Sequence, residues 1–328
     1  MKKNIAIIAG GNSAESVISL KSAEQLSTQI DKDLYQTYII YIKGTDWKAK
    51  GEDFEGVQVN KNDFSIEING QKITFDCALM AIHGNPGEDG HLQGYFDMME
   101  LPYTSCDMLT SALTFDKYVC KNYLRQFGIC TANAILVRKG QNQVNPEDVV
   151  KELHLPLFVK PNKNGSSVGV TKVKVAEQII PAIEKAFVDD DEVIIEEFIE
   201  GTEITCGLIK AQNKKLIFPI TEIVSKNEFF DYEAKYQNGF SQEITPARID
   251  QKVEEDCKNI ASEIYDVLNC KGIVRVDYIF SKDKLYFLEI NTVPGMSESS
   301  IVPKQIRTAG MTMKEVLTLL IEDSISRK

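Results

Sequence analysis

The stretch from Arg275 to Met296, RVDYIFSKDKLYFLEINTVPGM, constrains this chain more than any other, because it sets charged and amide side chains on two runs that otherwise read as buried strand. In GIVRVDYIF, alternation places Val274, Val276, Tyr278 and Phe280 on one face and Arg275 and Asp277 on the other. In KLYFLEIN the same alternation puts Glu289 and Asn291 together. The runs are close enough to form a hairpin, and Asp277 meets Glu289 if the loop has an odd number of residues, as in a three-residue loop of Lys282, Asp283 and Lys284. Two carboxylates and an amide oxygen then converge. Such carboxylates repel unless a cation lies between them. Oxygen donors without His or Cys suit Mg²⁺, which takes its remaining ligands from water and substrate phosphates. The spacing therefore points to a nucleotide, against the plainer reading of a hairpin with a wet polar face. Arg275 offers planar donors to transferring oxygens, and Gly295 in the following turn lets backbone N–H approach a developing oxyanion.

A chain of 328 residues is long for one core and predicts two or three domains. Its 43% hydrophobic and 26% charged content is that of a globular protein, and a net charge of −11 argues against a nucleic-acid surface. The seven cysteines, Cys77, Cys106, Cys120, Cys130, Cys206, Cys257 and Cys270, include no CxxC pair and read as reduced core thiols. The opening MKKNIAIIAGG is too short for a signal peptide and reads as a first strand. No run approaches the roughly twenty apolar residues of a membrane span. The expected location is cytoplasmic.

Asn4 to Ala9 predicts a buried strand breaking at Gly10-Gly11, with Asn12 or Ser13 capping a helix from about Ala14. This βα turn lacks the third glycine of the dinucleotide fingerprint, and no phosphate-loop motif occurs. Glu15 falls in the first helical turn, at the carboxyl end of a strand where α/β sheets bind ligands, or else complements the helix dipole. Strands are expected at Tyr35 to Lys43 and Phe75 to Ile82. The second runs into His83-Gly-Asn-Pro-Gly-Glu-Asp-Gly90, where His83 is either a ligand contact or a solvated loop residue. A short strand over Pro102 to Cys106 precedes one helix over Thr110 to Phe127 that carries Lys117.

LPLFVK, ending at Lys160, predicts a strand, and Asn162 to Gly169 either a loop able to fold over phosphates or a flexible hairpin tip, before a strand at Val170 to Val175. Gly165 and Gly169 permit close backbone approach, Ser166 and Ser167 offer hydroxyls, and Lys160 supplies a point charge. A helix over Ala176 to Phe187 and a strand over Glu192 to Ile199 follow. Glu196, Glu197 and Glu203 are too many acids for a buried seam without donors. The aromatic, polar run between Glu222 and Pro246 reads as a long active-site loop. Gln251 to Leu268 is an amphipathic helix, and Met311 to Ile325 a final one.

Taken in order, GGNSAES, HGNPGEDGHLQGYF, LPYTSC, SALTFDK, VKPNKNGSSVGV, IEEFIEGTEIT, FFDYEAKY, NCKGIVRVD and FLEINTVPGMSESSIVPK resemble the D-alanine–D-alanine ligases of the ATP-grasp superfamily, nearly end to end. The resemblance implies an α/β fold of three domains: an N-terminal parallel-sheet α/β domain over 1–112, and two α+β domains, 113–204 and 205–328, sandwiching ATP. The last would carry the active-site loop, about 225–243, and the metal hairpin. The implied reaction phosphorylates one D-alanine on its carboxylate with ATP and lets the amine of a second attack the acyl phosphate, for peptidoglycan precursor synthesis.

In that pattern Lys117, Lys160 and Lys235 match phosphate-binding lysines, while Glu196, Glu197, Phe198, Ile199, Glu203 and Leu288 match the base and ribose pocket. Phe198 stands where relatives commonly have tryptophan. Asp277, Glu289 and Asn291 match ligands of Mg²⁺ or Mn²⁺, normally two ions with ATP, and a monovalent cation belongs to the same expectation. Arg275 and the Gly295 backbone match the groups that stabilise the transition state. Glu15 matches the carboxylate for the first substrate's ammonium, with His83 beside it and Ser166 and Tyr236 hydrogen-bonded partners. Ser300 and Ile301 match the segment receiving the second substrate's carboxylate. A homodimer joined through the N-terminal domain, with no nucleic-acid or membrane partner, completes the expectation.

Overall fold

The computed structural model describes residues 2–13, 15–51, 54–141, 144–165, 168–225 and 241–327. Ser166, Ser167, Lys235, Tyr236 and most of the 225–243 loop lie outside the described residues.

The first sheet comprises β1 (Lys3–Gly10), β2 (Tyr35–Lys43), β3 (Asp46–Lys50) and the later Cys77–Met80 strand, in the order β3, β2, β1, Cys77–Met80. The three longer-range neighbours are parallel, with Ile7 opposite both Ile39 and Leu79. Parallel strands require a crossover, supplied by α1 (Ser16–Gln29). The helix starts later than expected, because neither Asn12 nor Ser13 caps it. Asn12 Nδ2 instead donates to Asn85 Oδ1 (2.7 Å), and Ser13 Oγ donates to the His83 carbonyl (3.2 Å). Those side chains bind the first turn to the 83–90 loop. A small hairpin, β4 (Ile66–Ile68) and β5 (Gln71–Ile73), precedes the Cys77–Met80 strand, which is β6. The predicted Pro102–Cys106 strand reduces to one bridge between Ala78 and Tyr103.

After α2 (His91–Met98), the predicted Thr110–Phe127 helix is two: α3 (Met108–Phe115) and α4 (Lys117–Arg125). Asp116 causes the break. Its backbone leaves the helical region (ψ 98°), and its carboxylate accepts from Val119 N at 2.9 Å, capping α4. Lys117 thereby becomes the first residue of α4.

The second sheet is antiparallel: β7 (Ala134–Arg138), β8 (Leu157–Pro161), β9 (Thr171–Val173) and β10 (Glu192–Glu197), in the order β7, β10, β8, β9. Helices α5 (Pro146–Leu153) and α6 (Ile179–Ala186) cover it, α6 after a short 3₁₀ turn at Ala176–Gln178. Their apolar cluster, including Val149, Leu157, Val159, Ile183, Val193 and Ile195, is confined to the segment from 135 to 195. Truncating a fully buried member such as Ile195 to alanine is expected to cost about 2–5 kcal/mol. Phe198 and Ile199 lie just beyond β10 rather than within it.

The third sheet runs β14 (Ser241–Ile244), β13 (Thr221–Ser225), β11 (Thr202–Ala211), β15 (Ile273–Ser281), β16 (Lys284–Asn291), with β12 (Lys214–Ile217) on β11. The amphipathic α7 (Gln251–Val267) buries Cys257, Ala261 and Ile264 in a cluster shared with Leu124 of α4 and Val274, Val276 and Tyr278 of β15. The chain ends with α8 (Ile301–Thr308) and α9 (Met313–Ser326). α9 sends Leu317, Leu320 and Ile321 into the cluster holding Ile5, Ile7 and Leu26, so the last helix seals the first sheet. All seven cysteines are free thiols, six buried and Cys130 partly so, as expected. Among the described residues no helix is long and apolar enough to cross a membrane.

Candidate active site

The β15–β16 hairpin brings Asp277 opposite Glu289 and Arg275 opposite Asn291. The route differs from the expected odd-numbered loop. Lys282 (φ 48°) and Asp283 (φ 61°) form a two-residue turn from Ser281 to Lys284, both left-handed, as a tight type I′ hairpin turn requires. That turn alone would set Leu288 across from Asp277. A one-residue shift between Asp277 and Tyr278 leaves Leu288 as the extra residue and moves Glu289 into its place. Leu288, half-buried, thus acts on the site by re-aiming its neighbour.

Asp277 is 4% exposed and well supplied with donors. Arg275 donates from Nε to Oδ1 (2.9 Å) and from Nη2 to Oδ2 (2.8 Å), Asn291 Nδ2 donates to Oδ2 (3.0 Å), and Thr205 Oγ1 of β11 donates to Oδ1. Burial works against the charge on Arg275, but Asp277 overrides it and raises the guanidinium pKa further. Lys117 at the start of α4 stands 3.7 Å from Glu289 Oε2 and donates to the Asn164 carbonyl at 2.5 Å. It thereby joins the hairpin to the loop after β8.

One turn further along α4 lies a residue the sequence reading missed. Lys121, 2% exposed, donates to Glu196 Oε1, and Lys160 of β8 lies 2.5 Å from Glu196 Oε2. Glu196 faces Phe158 across the strand pair while Lys160 faces Ile194, so Lys160 and Glu196 are diagonal neighbours on one face. Burial opposes charge on Glu196, yet Lys121 and then Lys160 bring its pKa down to about 2. Burial likewise brings Lys121 down to about 8, with Glu196 opposing. The two values share one influence, the contact of Lys121 with Glu196 inside the protein. The overlooked signal was positional: Lys121 lies on the buried stripe with Cys120 and Leu124, where an apolar residue belongs.

At the end of β10, Glu197 Oε1 accepts from Asn133 N (2.7 Å). Phe198 meets Phe158 edge-on (5.7 Å) and carries Lys172 Nζ 4.0 Å over its ring. Ile199 follows, half-buried, and Glu203 lies on β11 between Ile223 and Ile279.

Around Glu15 three loops meet. A methyl on Gly165 would stand 2.8 Å from Glu15 Oε2, so glycine is what lets the backbone after β8 reach Glu15. His83 is buried and its Nδ1 bonds the Val293 carbonyl (2.8 Å), while Nε2 has no hydrogen-bond partner among the described residues. Burial moves His83 toward its neutral form, against the pull of Glu15. Glu88, also missed, accepts from Gly84 N (2.7 Å) and Val293 N (3.2 Å). Burial, then the Glu15 charge, pushes it up to about 8. It ties the 83–90 loop to the segment after the hairpin. There a Cβ on Gly295 would approach Ser300 Oγ to 2.9 Å, and Ser300 and Ile301 open α8.

Residues 4–106 match the family described as D-ala D-ala ligase N-terminus, and residues 123–322 match D-ala D-ala ligase C-terminus. Among curated relatives, the D-alanine–D-alanine ligase of Parabacteroides distasonis is 53% identical over 329 aligned residues, covering 100% of this chain and 99% of that one. That of Phocaeicola vulgatus is 52% identical, covering 98% and 99%. Among solved structures, the VanG D-Ala:D-Ser ligase from Enterococcus faecalis superposes with a TM-score of 0.88 at 31% identity, covering 98% and 99%. The D-alanine–D-alanine ligase from Bacillus anthracis complexed with ATP gives 0.80 at 29%, covering 99% and 98%. With family matches across both parts and relatives of this similarity over its full length, the chain belongs to the D-alanine–D-alanine ligase family.

Proposed function

We propose that this chain joins two D-alanine molecules into D-alanyl-D-alanine at the expense of ATP, the step that supplies peptidoglycan synthesis with its dipeptide. The observation that carries the reading is Lys117, which bridges the oxygen-donor face of the hairpin and the loop after β8. Phosphate-binding cations and a carboxylate face thus share one cleft. The three sheets correspond to a division near 1–112, 113–204 and 205–328, with the nucleotide between the second and third units. We extend the proposal to a homodimer joined through the first unit.

The donor set fits a hard divalent cation. Two carboxylates face each other across the hairpin, with the Asn291 amide beside them and Asn291 Nδ2 already spent on Asp277. Asp277, Glu289 and Asn291 would hold Mg²⁺ or Mn²⁺, which when bound neutralises charge on phosphate oxygens. Lys117 and Lys160, with Lys235 from outside the described residues, bind the polyphosphate. Glu196, Glu197, Phe198, Ile199, Glu203 and Leu288 surround the base and ribose.

Glu15 holds the ammonium of the first D-alanine, with His83 beside it and with Ser166 and Tyr236, outside the described residues, assigned as partners by the family pattern, and directs its carboxylate toward the γ-phosphate. Phosphoryl transfer gives an acyl phosphate and ADP. The second D-alanine, its carboxylate at Ser300 and Ile301, attacks through a neutral amine. The carbon becomes tetrahedral, and collapse breaks the bond to phosphate and forms the amide, the proton lost by the nitrogen ending on the expelled phosphate. Arg275 and the Gly295 N–H face the negative charge that grows on those oxygens. The test is product analysis with ATP and equimolar D-alanine and D-serine: D-alanyl-D-alanine with stoichiometric ADP and phosphate is expected. Mainly D-alanyl-D-serine, or phosphate release independent of D-alanine, overturns the assignment.

A further inference from the structure

Lys121 has no part in the chemistry above, yet it is the more deeply buried of the two lysines on Glu196. A buried ammonium is costly to maintain, and one lysine is enough to neutralise one carboxylate. The cluster of Lys121, Glu196 and Lys160 sets two lysines on one carboxylate, one more than its pairing needs. Lys160, which must serve phosphates, has its Nζ on Glu196 Oε2 at 2.5 Å. Were Lys160 the only partner of Glu196, it could reach a ligand only by leaving a buried carboxylate unpaired, which is strongly destabilising.

We propose that Lys121 is a positioning residue of the nucleotide site: as the resident counter-ion of Glu196, it frees Lys160 to transfer to the polyphosphate and keeps the Glu196 carboxylate ionised toward the base. The inference rests on the reading of the cleft as the ATP site. Geometry separates the two lysines into these roles. Lys121 enters from the buried face of α4, behind the carboxylate, whereas Lys160 sits at the end of β8, where the chain enters the loop of Asn162 to Gly169. Lys117, one helical turn before Lys121, already reaches that loop at Asn164. The exchange is a change of partners that leaves no buried carboxylate unpaired. In that exchange Lys160 changes partner while Lys121 stays on Glu196.

The experiment compares wild type, Lys121→Met, and Lys121→Met combined with Glu196→Gln, using ATP as substrate and inorganic tripolyphosphate as a competitive probe without a base. Lys121→Met should raise the KM for ATP and the inhibition constant of tripolyphosphate at least tenfold, with kcat changed less than threefold, because Lys160 is then committed to Glu196. Removing the Glu196 charge in the double variant should return the tripolyphosphate constant to within threefold of wild type. It should not restore the preference for ATP over ITP, which needs the carboxylate. Merely structural damage would not be reversed by a second buried substitution. Should Lys121→Met fail to fold by circular dichroism, Glu196→Gln alone decides: tripolyphosphate should bind within threefold of wild type, whereas binding at least tenfold tighter would mean that Lys160 is committed to Glu196 in the wild type and overturns the role of Lys121. An unchanged tripolyphosphate constant in folded Lys121→Met, or a double variant no better than the single, overturns the role of Lys121. Failure of tripolyphosphate to compete with ATP in the wild type instead overturns the reading of the cleft, and this inference with it.

Discussion

Glu196 and Asp277 are buried to nearly the same degree, 3% and 4% exposed, but they are neutralised by different means. Glu196 is met by two lysines from separate elements, flexible point charges on α4 and β8. Asp277 is met by the planar fork of Arg275 on its own strand and by two neutral donors, Thr205 and Asn291. The difference follows what each must do. A carboxylate with a spare ammonium can give one away, whereas one gripped by a bidentate arginine is fixed in direction. The first arrangement suits a partner that arrives and leaves. The second suits a geometry that must already be set when charge develops.

The largest effect should come from loosening the fixed cluster. Arg275→Lys keeps the charge but loses the fork, so Asp277 is no longer aligned and a donor to the reacting oxygens is lost. Turnover should fall about 10³-fold, with the KM for ATP changing little. Steady-state kinetics with both substrates saturating checks this. A loss of less than tenfold would mean that charge alone matters, and the contrast with the lysine pair would vanish.

Much of the hairpin was legible because alternation carries face information: Arg275 and Asp277 on one strand, Glu289 and Asn291 on the other. The Leu288 bulge was not, since an odd loop and an even loop with one extra strand residue give the same parity. The helix break at Asp116 had a local signal, an aspartate ahead of Lys117, that was outweighed by continuous helical spacing of apolar residues. Asn12 and Ser13 had every property of a cap, but long-range bonds to the 83–90 loop claimed them. Lys121 and Glu88 were hidden for a related reason: Lys121 pairs with a residue 75 positions away, and Glu88, besides its local bond to Gly84, with one 205 away. Both contacts join segments far apart in the chain, so they needed coordinates to be seen.

A smaller effect is expected at Glu289, which Lys117 approaches to 3.7 Å. Asp277 is instead met by a bidentate arginine. Glu289→Gln keeps the size and removes the charge, so metal affinity and phosphoryl transfer should fall together by about 100-fold. The readout is ADP formation as a function of Mg²⁺ concentration. Equal turnover of variant and wild type at limiting Mg²⁺ would remove Glu289 from the metal site.

The smallest effect tests the other end of the strand that carries Glu196. Glu192 also has two cations, Lys163 Nζ at 2.7 Å and Arg138 Nε at 2.7 Å, and accepts from Asn162 Nδ2 at 3.1 Å. Lys163 first, then Arg138, bring its pKa from 4.5 to about 2. Here the lysine and arginine side chains are 43% and 53% exposed, so solvent screens the pair, and its contribution should be a fraction of what the shift alone suggests. The sign follows from the lowered folded value: the stabilisation is present above the unfolded value of 4.5 and is lost as pH falls toward about 2. Glu192→Gln should therefore lower Tm by about 2 °C at neutral pH. That gap should shrink by roughly half or more between pH 5 and pH 3, because protonation removes in the wild type what the substitution removes in the variant. Thermal melts of the two proteins across that range measure it. ATP affinity should stay at the wild-type value throughout, since Glu192 lies at the far end of the strand from Glu196. A gap that does not change with pH would assign the loss to packing instead of charge. A weakened ATP affinity would mean that the two ends of the strand act together, and that the exchange of lysines at Glu196 draws on the whole row of charges along it.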